Sequence, residues 1–159
     1  MATPATPEQS EMVAEAIAQF DDAGMELPAL QIEFYDSDRG CKGHAGLFVA
    51  ASWDPEAVVD RITICFHHRL ILLHEMAHAW INHNVNDVTR AAFVEHWGLN
   101  GWSNLDDPYA DRGIERAAQT IAFTLNQNKA TKSEAVHRYI CDFELLTGFT
   151  LEIHTKVDC

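Results

Sequence analysis

The chain has 159 residues, with 24 acidic against 11 basic and a formal net charge of −13. That length suits one domain, read here as 1–159, with a core of its own. Such acidity excludes a nucleic-acid backbone or an anionic membrane surface as partner and favours a neutral or basic protein or peptide. Taken in chain order, residues 1–10 (MATPATPEQS) lack the basic and apolar regions of a signal peptide. No later apolar run approaches the ~18 residues of a membrane span. The expected setting is therefore cytoplasmic.

From Pro7 to Asp22, Met12, Val13, Ala16, Ile17 and Phe20 recur at helical spacing, with Glu8 and Glu11 early and Gly24 past the end. That pattern predicts an amphipathic helix with a glycine stop. Leu30-Gln-Ile32-Glu-Phe34-Tyr alternates and predicts a half-buried strand. Residues 36–46 (DSDRGCKGHAG) form a turn-rich loop with three glycines. Leu47–Ala51 is a short strand, Asp54-Pro55 a turn, and Arg61–Phe66 the clearest β-branched strand. From there the pattern turns helical: about 69–82, then a short helix to Trp97 capped by Asn86 or Asp87 and stopped by Gly98. Gly98 to Asp107 reads as a loop whose Trp102, with neighbouring Trp97, lines a cleft. Pro108 starts a long helix to Leu125. Thr131 and Glu134 make a capping box for a last helix over 132–146, ended by Gly148. Strands first and helices after predict an α+β fold, with about three strands packed on four to five helices.

The chemistry concentrates at His74-Glu75-Met-Ala-His78, set in the apolar run Ile71–Trp80. Four residues apart on a helix, His74 and His78 share a face and can ligate one metal ion at about 2.0–2.1 Å each. Glu75 is turned off that axis, positioned to act on a water as general base. The plainer alternative is a core helix with hydrogen-bonded histidines and a Glu–Arg pair. Burying three such groups without a partner is rare, so the metal reading leads.

A catalytic zinc needs a third protein ligand. His83, Glu95, His96, Glu115 and His137 are the candidates. His83 lies about 140° round the helix from His78, and Ile81 and Asn84 stand where a metzincin has glycine and histidine. His96 could swing back from its short helix. Glu115 leads, because Ala117, Ala118 and Ala122 let its helix approach the metal helix closely. Its alternative role is a surface pair with Arg112 or Arg116. Gln119, one turn on, is placed to orient His74 or His78.

His74-Glu75-x-x-His78 followed by Glu115-x-x-Ala118-x-x-x-Ala122 resembles the gluzincin pattern, in which a glutamate on a later helix completes the site. It is similar to the small ImmA/IrrE-type peptidases, although Ile121 stands where their second motif has Phe. Cys41-Lys-Gly-His44 and Ile62-Thr-Ile-Cys65 look like segments of small metallopeptidases of actinobacteria and their phages. The resemblance spans about residues 40–147. It implies a zincin-like fold and a Zn2+-dependent peptidase in which Glu75 passes the proton of a zinc-bound water to the leaving amine. It further implies a peptide lying along an exposed strand edge, assigned to Leu47–Ala51. Tyr109, His96, His83 and His44 are the candidates to steady the oxyanion. A non-catalytic zincin-like binding module that keeps the metal is the alternative function.

The four cysteines, at 41, 65, 141 and 159, show no C-x-x-C spacing and so form no zinc ribbon. A cytoplasmic setting favours free thiols. Cys41 with Cys65, and Cys141 with Cys159, are the pairings open otherwise, and Cys41 with His44 would make a second metal site.

Overall fold

A computed structural model of the chain describes residues 4–126 and 134–151, without the side chains of 134–137. Helix α1 spans Pro7–Asp22. Thr6 and Gln9 close a reciprocal capping box at its start, satisfying two backbone donors that a helix end leaves orphaned. Strands β1 (Leu30–Phe34), β2 (Gly46–Val49) and β3 (Asp60–Ile64) follow. They form one mixed sheet in the order β1-β3-β2, with β1 parallel and β2 antiparallel to β3. The β-branched β3 is central, as its near-continuous burial requires.

Helices α2 (Arg69–Asn84), α3 (Asp87–Trp97), α4 (Gly113–Asn126) and α5 (Glu134–Thr147) complete the described fold. The architecture is thus α+β, with five helices and a small three-stranded sheet. Every residue of α2 from Leu72 to Ile81 is buried, so this helix is the centre of the core rather than a surface helix with one wet face. It packs along α4, where Ala117, Ala118 and Ala122 have no exposed surface and bring the two backbones close. No described helix is long and apolar enough to cross a membrane.

Several boundaries differ from the sequence reading. The second strand ends at Val49, because residues 51–53 coil into a 3₁₀ turn. The long helix begins at Gly113, not Pro108. Residues Tyr109–Asp111 form a 3₁₀ turn and Arg112 is extended. The N–H groups of Gly113 and Ile114 bond instead to the carbonyls of Gly101 and Trp102, at 3.2 and 2.8 Å. A Cβ on Gly113 would lie 3.1 Å from the Gly101 carbonyl, a tight approach that glycine avoids. Asn86, not Asp87, caps α3 by accepting from the N–H of Thr89. The predicted Thr131–Glu134 capping box lies outside the described residues.

The expectation of free thiols is corrected for Cys41 and Cys65, which form a disulfide across 24 residues of sequence. Cys41 sits in the 3₁₀ turn after β1 and Cys65 just beyond β3, so sheet formation brings them together. With its sulfur so engaged, Cys41 cannot join His44 in a second metal site. Cys141 is also disulfide-bonded; the pairing with Cys159 lies outside the described residues.

Candidate metal centre

On α2, the i, i+4 spacing sets His74 and His78 one above the other, facing α4. Their Nε2 atoms lie 3.1 Å apart. Glu115, in the first turn of α4, brings Oε2 to 3.1 Å from His74 Nε2 and 3.2 Å from His78 Nε2. These three residues form a group able to hold a metal ion. Two imidazole nitrogens facing each other cannot both donate, so the triangle offers more lone pairs than its own protons satisfy. A tetrahedral ion with ligands at 2.0–2.1 Å spaces them about 3.3 Å apart, close to the separations seen here. The donor set fits a divalent cation.

Packing holds the rings. His74 and His78 meet edge to face at 4.7 Å, and the Phe48 ring of β2 stacks on His78 at 6.3 Å and 11°. Among the described residues, His74 finds hydrogen-bond partners only through Nε2, and its buried Nδ1 has none. Of the two histidines that Gln119 is expected to orient, His74 is excluded: half-buried Gln119 does not reach that nitrogen.

Burial pushes the Glu115 carboxyl up, but hydrogen bonds from His74 and His78, then the charge of His78 and the Tyr109 hydroxyl, outweigh it. The group is held well below the ordinary carboxylate range and stays anionic. Glu75 is the opposite case. It is 6 % exposed, and burial raises its pKa despite the nearby His78 and His74. Its carboxylate lies against β2, where a Cβ on Gly46 would come within 2.6 Å of Oε1. The absence of a side chain at position 46 leaves Glu75 its place.

Tyr109 reaches the triad from the 3₁₀ turn before α4. Its hydroxyl is 3.4 Å from His74 Nε2 and hydrogen-bonds to Glu115. Burial and that adjacent carboxylate hold the phenol well above its usual range, so it stays a neutral donor. Arg112 fixes the turn by donating to the carbonyls of Asp107 and Leu105, with its guanidinium 5.9 Å from the Tyr109 ring. On the other side His44, held on the loop that the disulfide ties down, stacks on Tyr109 at 6.5 Å.

His74, Glu75, His78 and Glu115 are thus brought together, with Tyr109 and His44 beside them. The other candidates go elsewhere. His96 pairs with buried Asp142 at 2.9 Å and His83 with buried Asp60 at 2.8 Å, and neither joins the group of His74, His78 and Glu115. Glu95 is exposed, and the side chain of His137 lies outside the described residues. Arg112 and Arg116 turn to the 105–111 loop rather than to Glu115. Trp97 lies against Arg116 and Arg138, and Trp102 packs on Phe93 and Arg90.

Sequence reasoning missed Phe48 and Gly46. The glycine ending the 36–46 loop was visible, but only the fold shows that it faces Glu75. Compared with known proteins, the chain matches no family model, no curated protein and no solved structure.

Proposed function

We propose that this chain is a zinc-dependent peptidase of gluzincin type, with His74, His78 and Glu115 as metal ligands and Glu75 as general base. The observation that carries the reading is the convergence of three ligand atoms within 3.1–3.2 Å of one another, with a buried carboxylate alongside. A His–His–Glu set of this kind suits zinc, and metal-assisted hydrolysis pairs a Lewis acid with a base.

A divalent ion held by these three residues supplies Lewis acidity to a carbonyl and acidifies a water. The chain does the rest. Glu75 takes a proton from the attacking water and delivers it to the leaving amine, a transfer helped by the raised basicity that burial confers. Tyr109, neutral and donating to Glu115 at rest, turns its O–H to the oxyanion that develops on the carbonyl. His44, stacked on Tyr109 and electrostatically coupled to Glu75, closes the wall between them. Strand β2 is an edge of the sheet, and a peptide added along it passes Gly46 and Phe48 on its way to the metal.

The test is peptide hydrolysis by zinc-supplied protein, with zinc content measured on each variant. Glu75→Gln is expected to lose cleavage while keeping its zinc. Glu115→Ala is expected to weaken zinc binding by more than the about 10–100-fold that loss of an outer partner costs, because a direct ligand is gone. Tyr109→Phe is expected to lower kcat by about 100-fold with zinc retained. Full activity in Glu75→Gln sinks the mechanism. Zinc binding with no hydrolysis of any peptide leaves only the alternative of a metal-bearing binding module.

A further inference from the structure

We propose that Trp53 forms a specificity subsite for a large apolar side chain of the bound peptide, within about four residues of the scissile bond. The inference rests on the peptidase reading only for the direction in which the peptide leaves the metal. Three observations carry it.

An aromatic row runs outward from the metal ligands. The Phe48 ring stacks on His78 at 6.3 Å, and the Trp53 indole meets Phe48 edge to face at 5.7 Å. A strand rising about 3.3 Å per residue covers those two steps in no more than about four residues. Phe48 is buried, whereas the indole at the outer end is 62 % exposed. Among the described residues, the row therefore ends on a large apolar face turned to solvent, continuous with a metal ligand.

The turn that presents this indole is braced. The N–H groups of Trp53 and Asp54 bond to the carbonyls of Ala50 and Ala51 at 3.0 and 3.1 Å. The N–H of Ala51 donates to the carboxylate of Asp60 at 2.8 Å. Asp60 is buried, and its other oxygen pairs with His83 of the metal helix at 2.8 Å. A buried carboxylate with two partners thus ties the Trp53 turn to both β3 and α2. A turn held in place before the ligand arrives spares the cost of ordering it on binding, which favours affinity at that contact.

The position also suits recognition. β2 pairs with no second strand on its outer side among the described residues, and the turn follows directly from it. A peptide added to that edge is guided by its main chain and reads side chains through whatever lies beside the strand. Beside this one lies an indole, which selects for aromatic or large aliphatic groups by area and ring geometry.

The experiment uses full-length Glu75→Gln protein supplied with zinc, so that peptides are bound and not consumed. The probe is a set of fluorescein-labelled octapeptides, blocked at both ends, each fixing one position as Trp, Phe, Leu, Ser or Asp. Anisotropy reads affinity. Tighter binding of Trp, Phe or Leu over Ser and Asp is expected at one position. Trp53→Ala, added to the same background, should reduce that preference about tenfold or more, while Trp53→Phe retains most of it. Val58→Ala, on the same exposed loop but outside the aromatic row, should leave it intact. A preference unchanged in Trp53→Ala, or no binding to any peptide, overturns the inference. Cleavage of the set by wild type is read in parallel. Trp53-dependent binding without wild-type cleavage supports the subsite and removes the hydrolytic reading. Cleavage with the same residue preference in wild type and Trp53→Ala supports hydrolysis and removes the subsite.

Discussion

Glu75 and Gly46 are a pair that only makes sense together. A buried carboxylate is costly when, as among the described residues here, no N–H or O–H bonds to it, and a side chain at position 46 would take the space it fills. Gly46→Ala is a modest change on an ordinary strand. In this chain it is expected to drive Glu75 from its position, lowering kcat strongly while zinc content stays near wild type; equal kcat in the two proteins would refute the contact. The raised pKa of Glu75 has a stability consequence in the metal-free protein. A folded pKa above the unfolded value means that folding favours the protonated form. The favourable contribution is present below the ordinary carboxylate pKa and is lost as pH rises through the raised value. Metal-free Glu75→Gln has no such loss, and is expected to be more stable than metal-free wild type at pH 7. Denaturant midpoints at pH 4 and pH 7 check this; the gap between the two proteins should widen at the higher pH.

At the scale of elements, the site is a meeting of two helices, one edge strand and two anchored loops. α2 turns His74 and His78 toward α4 and Glu75 toward β2, and α4 brings Glu115 in its first turn. The loop before α4 is strapped by Arg112 and crosses over Gly113, which sets Tyr109 above the triad. The loop before β2 is tied to the end of β3 by Cys41–Cys65, which sets His44 and Gly46. Closing a loop of that length removes unfolded-state entropy worth about 3–4 kcal/mol. The double substitution Cys41→Ala, Cys65→Ala is expected to lower unfolding free energy by about that amount, measured by denaturant titration in matched buffers. Wild-type protein unfolded without reductant should show no reactive thiol at either position. Titration of a thiol at Cys41 or Cys65 would show the bridge absent. A bond of this kind belongs to oxidising surroundings, which stands against the cytoplasmic setting expected from the first ten residues.

For the whole molecule, the net charge of −13 acts at distances where contacts do not. It draws basic peptides and repels acidic ones, and the effect is screened within about 10 Å at 0.1 M salt. For peptides differing only in charge away from the bound segment, association of the basic member is expected to slow as salt rises. That of the acidic member should quicken, while dissociation rates change little. Stopped-flow anisotropy across a salt series reads both; identical slopes for the two peptides would exclude steering.

Much of this was legible in the residues themselves, for local reasons. Helix periodicity is a short-range property, so α1, α2 and α3 could be read from spacing and caps, and two histidines four apart share a face in any helix. The alanines of α4 signalled close approach, and that was enough to favour Glu115 over His83 and His96. What could not be read was which distant groups meet. The late start of α4 depends on carbonyls of residues 101 and 102, the disulfide on where β3 lies in the sheet, and the fates of His83 and His96 on buried aspartates 23 and 46 residues away. The roles of Gly46, Phe48 and Trp53 depend on β2 running beside the metal helix. Spacing along the chain determines how neighbours a turn apart are arranged; which surface faces Glu75 is decided only when the sheet closes over it.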